Sequence, residues 1–95
     1  MSYYPKKDWK LLGFERSHLA NKKYNAVLLN LNRGTIKTLG FGDTRYQQYK
    51  DSTGLNFYSH LDHGDKKRRK RYLQRHANDI NKPYSASYFS QKYLW

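Results

Sequence analysis

The sequence predicts an α+β fold in which a small antiparallel β-hairpin or sheet is covered by two C-terminal helices. Three observations predict it: alternating apolar residues through 23–42, a lysine- and arginine-rich helix after Gly64, and a short amphipathic helix after Pro83. We expect residues 1–22 to form an extended N-terminal arm. Residues 23–95 are expected to form one small α+β domain.

The hairpin is predicted from alternation on both sides of one turn. Tyr24, Ala26 and Leu28 take every second position of the first strand, and a second alternating run ends at Phe41. Gly34 supplies the positive φ that a three-residue hairpin loop requires. Because two strands alone are marginal in water, we expect the C-terminal helices to cover their apolar face.

The basic helix is predicted over residues 65–77, with Asp65 as its N-cap. Six consecutive cations follow at 66–71, although they repel one another and sit near the positive end of the helix dipole. Such a helix becomes favourable when it meets an anion. We therefore predict that an anionic partner binds Lys66, Lys67, Arg68, Lys70, Arg71 and Arg75.

The final helix is predicted to start after Ser85, which is a favourable N-cap. Pro83 ends the preceding helix, because the residue before a proline is driven away from helical angles. Ala86, Phe89 and Leu94 fall on one side of the final helix. We expect this side to cover the hairpin.

Charge and composition limit the classes of partner. The 95 residues include 19 Lys and Arg against 7 Asp and Glu, a formal charge of +12 that would attract nucleic acid, anionic membrane or acidic protein. The chain has no cysteine, which excludes disulfides and thiolate metal sites. No apolar run approaches the roughly 18 residues of a membrane span, and no signal-peptide pattern begins the chain, so we expect neither insertion nor secretion.

No catalytic constellation is apparent. The polar cluster before the basic helix consists of His60, Asp62, His63 and Asp65. Its spacing fits no standard zinc pattern, and we interpret it as a polar loop with a helix cap. The chain also lacks an acidic cluster for magnesium and a nucleophile motif. We expect no enzyme activity, metal, cofactor or small-molecule substrate.

Polar and small residues in the last third of the chain form a combined pattern, which we interpret mainly as structural. The pattern consists of His63, Asp65, Arg68, Arg69, Tyr72, Arg75 and His76, followed by Ala86, Ser90, Leu94 and Trp95. It resembles a family of small basic proteins from large DNA viruses of algae and from marine phages. The resemblance extends over about residues 20–95 and implies a viral context without catalytic residues.

The physical interpretation of this pattern is independent of the family. Arg69, Tyr72 and His76 share one side of the basic helix and are expected to clip it to loop carboxylates such as Asp62 or Asp65. Ala86, Ser90 and Leu94 recur every four residues, which lets small side chains sit close to another element.

The sequence thus predicts a virion structural protein, a minor capsid or capsid-associated (cement) protein of a large DNA virus or phage. Its partners would be acidic surfaces of other capsid proteins, and it would be made in the host cytoplasm or nucleus before entering the virion. The alternative is a viral protein that binds DNA or RNA, in which the basic helix contacts the phosphate backbone.

Overall fold

A three-stranded antiparallel sheet and two later helices make up the computed structural model, which describes residues 4–95. The predicted α+β class is therefore confirmed. The strands lie side by side in chain order, as a simple meander. The elements are β1 (Trp9–Arg16), β2 (Lys22–Asn30), β3 (Ile36–Asp43), a 3₁₀ turn (Ser59–Leu61), α1 (Lys66–Arg75), a second 3₁₀ turn (Ala77–Asn81) and α2 (Ala86–Tyr93).

The N-terminal segment differs from the extended arm that the sequence predicts for residues 1–22. Strand β1 pairs antiparallel with β2 and forms one edge of the sheet, while residues 1–3 lie outside the described range. The register shifts between Leu11 and Gly13, which marks a β-bulge. Because of this bulge, Leu11 and Phe14 both pack against the core although they are three residues apart. Because of this register shift, the apolar residues of β1 do not alternate with a period of two, which is the pattern that predicts a strand from sequence.

The predicted hairpin is confirmed with nearly the expected bounds. Strand β2 pairs antiparallel with β3 from Lys22 opposite Asp43 to Leu29 opposite Ile36. In the connecting turn Gly34 has a φ of +69°, and its N–H donates to the carbonyl of Asn30 over 2.8 Å. This is the left-handed conformation that glycine adopts without steric penalty.

Helix α2 covers one face of the sheet. Phe89 is fully buried and its ring lies 5.5 Å from that of Phe41, which is also fully buried. The Ser85 hydroxyl accepts the N–H of Tyr88 over 3.1 Å, so the predicted cap is confirmed. Helix α1 contributes no buried residue. Among residues 4–95, no helix has the length and apolar character needed to cross a lipid bilayer.

The opposite face of the sheet carries both polar and apolar side chains and is only partly exposed to solvent. Ile36 and Lys10 both lie opposite Leu29 in the register, on the face away from buried Leu28. The side chain of Ile36 is 55% exposed, and Leu12 at the bulge is 50% exposed. In the described chain this face is therefore exposed near Leu29, whereas Asn25 on the same face is buried.

Buried polar groups fasten the segment after β3 to the sheet. The Nζ of Lys23 donates to the carbonyl of Tyr46 over 2.8 Å and to the side-chain oxygen of Gln48. The hydroxyl of Tyr24 donates to the carboxylate of Asp51. Burial lowers the pKa of Lys23 and raises the pKa of Tyr24 to about 12. These bonds hold residues 46–51 against the sheet, and Tyr46 and Gln47 of this segment line the groove described next.

Candidate anion-binding groove

Helix α1 begins at the residue that the sequence predicts. The carboxylate of Asp65 accepts the N–H of Lys67 over 2.9 Å and that of Arg68 over 3.2 Å. The Nδ1 of His63 in turn accepts the N–H of Asp65 over 2.9 Å. The bonds from Arg68 and Lys67 hold the pKa of Asp65 below its ordinary value. The predicted N-cap is confirmed.

Trp95 holds α1 in place. The ring of Tyr72 stacks on the Trp95 indole with centroids 4.2 Å apart, and the Nε of Arg69 donates to the Trp95 carbonyl over 2.7 Å. The Arg69 guanidinium also lies 4.9 Å from the centre of the Tyr49 ring. Tyr72 and Arg69 thus contact an aromatic side chain and a carbonyl, and the expectation that they bind loop carboxylates is wrong.

His76 pairs with a different carboxylate from the two expected. Its Nδ1 lies 2.9 Å from the Oδ2 of Asp79, which also accepts the Ser87 hydroxyl over 2.6 Å. The Ser87 and His76 contacts lower the pKa of Asp79. Asp62 instead accepts from the Gln48 amide and from a backbone N–H. The 3₁₀ turn after α1 brings Asp79 back to His76, so the expected pairing with Asp62 or Asp65 is wrong.

His63 packs between aromatic rings beneath the start of α1. Its ring centre lies 5.1 Å from that of Trp95 and 6.2 Å from that of Tyr49. Burial and the nearby Arg68 lower the pKa of His63. Its Nε2 is buried and has no hydrogen-bond partner among residues 4–95. Among residues 4–95, no three histidine or acidic side chains converge as metal ligands would.

A groove of about 760 Å³ separates α1 from α2 and from the end of β3. We call it the α1–α2 groove. Its walls are α1 on one side and α2 with residues 42–47 on the other. The lining residues are Lys22, Lys23, Gly42, Asp43, Tyr46, Gln47, Arg68, Arg71, Tyr72, Arg75, His76, Ala86, Ser87, Ser90, Leu94 and Trp95.

The groove is strongly and asymmetrically charged. Lys22, Arg68, Arg71 and Arg75 line it together with the buried Lys23, whereas the acidic lining consists of Asp43 in the described chain. That carboxylate already pairs with Arg45 over 2.8 Å, which with the N–H bond of Arg45 lowers the pKa of Asp43 to about 2. Within residues 4–95 no other carboxylate lines the groove, so the remaining positive charge of its walls is not balanced there.

Arginine and lysine divide between the two sides of α1. Arg68, Arg71 and Arg75 line the α1–α2 groove. Lys66 and Lys70 line a second, shallower cleft of about 510 Å³ with Arg69, Leu73, Gln74 and Ala77, which we call the outer cleft. Lys67 lines neither. In the described part of the chain two ion pairs form, Arg45 with Asp43 and His76 with Asp79, and neither includes a cation of α1.

The six predicted binding residues are thus not brought into one surface. The structure adds groove residues that the sequence analysis did not select, including Lys22, Gln47 and Tyr46. Gln47 accepts from the Arg68 guanidinium over 2.9 Å and so orients it. Lys22 begins β2, and Tyr46 and Gln47 follow β3, so only the arrangement of the whole chain places them beside α1.

The small residues of α2 form the floor of the groove. Ala86 and Ser90 line it, and the Ser90 hydroxyl accepts the N–H of Gly42 over 3.2 Å. The expected close approach of another element is therefore seen between Ser90 and β3. Leu94 is 1% exposed and belongs to the core. The low floor leaves room for an incoming chain against α2.

Comparison with known proteins adds no family assignment. No family model matches the chain, and neither the curated proteins nor the solved structures give a match. The viral resemblance stays a prediction from sequence. The function is therefore argued from the groove and from the surfaces around it.

Proposed function

We propose that the protein is a structural component of a virion, a minor capsid or capsid-associated protein that binds acidic surfaces of larger capsid subunits. The resemblance described above supplies the viral context. The observation that carries the choice of partner is the α1–α2 groove, which Arg68, Arg71 and Arg75 line without forming an ion pair to any carboxylate of residues 4–95. The proposal assigns the protein no catalysis and places it in the virion after synthesis in the host cell.

The aromatic residues beside these cations favour carboxylates over nucleobases. Nucleic-acid-binding surfaces that lack base readout combine cations with aromatic faces on which bases stack. Here the ring of Tyr72 already contacts Trp95 at 4.2 Å and His76 at 4.4 Å. The ring of Tyr49 lies 4.9 Å from the guanidinium of Arg69. These aromatics serve the fold, so the groove offers charge with little stacking surface.

Exposed apolar side chains on the sheet support the same proposal. A protein that links subunits needs contact with more than one surface, and exposed apolar side chains can provide such contacts. Ile36 lies on the side of the sheet away from α2, Leu12 lies at the bulge of β1, and both are at least half exposed. A larger capsid subunit would cover them, while the groove binds acidic groups.

Purified virus particles provide the direct test. Quantitative mass spectrometry should find the protein in a fixed copy number relative to the major capsid protein, and mild salt washes should release it, because the interface is electrostatic. An intracellular host protein of similar positive charge serves as the control for material that adheres to the particles nonspecifically. Absence from purified particles would overturn the proposal.

A viral DNA- or RNA-binding protein is the second candidate. One observation favours it: Tyr46 lines the groove and is 65% exposed, so its ring remains accessible to a base. This candidate predicts a log–log salt slope of about −0.9 per neutralised phosphate, or roughly −5 for six contacts. Failure to bind DNA or RNA at about 50 mM salt would exclude it.

A further inference from the structure

We propose that the α1–α2 groove, and not the outer cleft, is the binding site, and that its occupant is an extended acidic segment of a partner protein. This inference rests on the proposed function and names the partner chemistry of the same site. It is based on three observations: arginine and lysine lie on different sides of α1, the groove is concave, and the α2 residues that line it have small side chains.

The type of cation on each side of α1 is the first argument. Guanidinium groups bind carboxylates through two parallel hydrogen bonds, whereas an ammonium group is a strongly hydrated point charge. Of the α1 cations, Arg68, Arg71 and Arg75 line the groove, whereas Lys66 and Lys70 line the outer cleft. The remaining arginine of the outer cleft, Arg69, is bound to the Trp95 carbonyl. Gln47 orients the Arg68 guanidinium on the groove side, and the exposed guanidinium groups of Arg71 and Arg75 make no hydrogen bond within residues 4–95.

The spacing of these arginines suits an extended chain. Arg71 and Arg75 are four residues apart on one helix, a rise of about 6 Å along its axis. Two side chains on one side of an extended strand are separated by about 6.7 Å, since each residue rises 3.2–3.4 Å. Aspartates or glutamates at alternate positions of such a strand would therefore meet successive guanidinium groups.

The shape of the site favours a narrow partner segment. A groove of about 760 Å³ with Arg68 and Arg75 on its helical wall is concave, which suits a single extended chain better than the broad surface of a DNA duplex. Ala86 and Ser90 form a floor without long side chains, which lets a partner backbone lie close to α2. A single extended acidic segment fits both the charge and the depth of this site.

Two double variants with equal loss of charge separate the groove from the outer cleft. The probe is a fluorescein-labelled peptide of alternating aspartate and serine, titrated by fluorescence anisotropy at about 50 mM salt. We expect R71A/R75A to weaken binding by at least tenfold and K66A/K70A to weaken it by less than threefold. Arg71 and Arg75 are exposed, and circular dichroism should report an unchanged fold in both variants.

Two further variants test the mode of binding. R71K/R75K keeps the charge and should still lose about fivefold, because a lysine cannot form the paired hydrogen bonds of a guanidinium. Ala86→Leu raises the floor at constant charge and should weaken peptide binding without affecting α1. Equal losses in R71A/R75A and K66A/K70A would overturn the groove assignment, as would unchanged binding in R71A/R75A.

The outcomes distinguish this inference from the proposed function. Tighter binding of a single-stranded or duplex oligonucleotide than of the peptide, lost in K66A/K70A, would overturn the acidic-segment assignment and favour the second candidate. A wild-type protein that ignores the acidic peptide would overturn the inference alone. The virion inventory would still decide whether the protein is a particle component.

Discussion

The ring of Tyr72 lies parallel to the indole of Trp95, with an angle of 6° between the planes and 4.2 Å between the centroids. Arg69 adds a hydrogen bond to the Trp95 carbonyl. Helix α1 has no buried residue and is held by these contacts, by the bond from Arg68 to Gln47 and by the Gln91 amide, which donates to the His76 carbonyl over 2.7 Å. One wall of the groove therefore depends on a small number of contacts, of which the aromatic pair is one.

Replacing Tyr72 with leucine should release α1 while the sheet stays folded. The stacked pair contributes about 0.5–1.5 kcal/mol beyond its buried area. We expect α1 amides to lose hydrogen-exchange protection, and β2 amides to keep theirs. Tyr46→Leu is the control. Because Tyr46 is largely exposed, this variant should change the protection of neither the α1 amides nor the β2 amides. Unchanged protection of α1 in the Tyr72 variant would contradict this account.

Removing the cap at Asp65 should destabilise the start of α1. Asp65→Ala is expected to lower the melting temperature by about 4–8 °C, whereas Asp65→Asn keeps an acceptor and should lower it less. Because the folded pKa of Asp65 lies below its ordinary value of 3.8, its stabilisation is complete above that pH. It should disappear as the pH falls further, through the folded pKa. Melts of wild type and the Asn variant at several acidic pH values measure this difference.

The buried hydroxyl of Tyr24 should make stability depend on alkaline pH. Tyr24→Phe leaves the Asp51 carboxylate and the N–H of Phe57 each without one partner, at a cost of about 1–3 kcal/mol by urea unfolding. The pKa of Tyr24 is raised from 10.0 to about 12, so its stabilisation is complete below pH 10 and is lost as the pH rises through 12. Burial also raises the pKa of Tyr72 to about 12, so the difference between wild type and variant isolates Tyr24.

Alanine substitutions at Gly34 and Gly42 distinguish the energetic cost of backbone strain from the cost of a steric clash. Gly34 and Gly42 have φ values of +69° and +75°, but a Cβ at Gly42 would lie 2.8 Å from the Leu94 side chain, whereas Gly34 has open space. Gly34→Ala should cost about 1–2 kcal/mol for the left-handed conformation alone. Gly42→Ala should cost about 1–3 kcal/mol more, because Leu94 is buried and must move. Equal losses by chemical denaturation would show that the core accommodates the methyl group.

Local signals account for the parts of the fold that the sequence predicts. The alternation around Tyr24 and the glycine at position 34 identify the hairpin within one segment. Asp65 and Ser85 are recognisable caps because each bonds to N–H groups two or three residues later. Strand β1 escapes prediction because the bulge after Leu11 breaks the period of two.

The groove could not be predicted from sequence because it depends on contacts between distant residues. Tyr72 and Trp95 belong to different elements, and no periodicity links them. The pairing of His76 with Asp79 requires a 3₁₀ turn that brings the chain back after α1. The six cations are visible as a run in the sequence, but which of them face α2 depends on the contacts that hold α1, including the stacking of Tyr72 on Trp95.

The order of elements along the chain has a consequence for how the groove comes to exist. The strands pair with neighbours in sequence, so the sheet closes short loops and can form early. Phe89 then packs against Phe41, which is distant in sequence, and Trp95 contacts Tyr72 only after α2 has docked. We therefore expect the groove to be the last feature assembled during folding. A partner that binds the groove therefore binds the native protein and not its folding intermediates. Such binding shifts the folding equilibrium towards the native state by mass action.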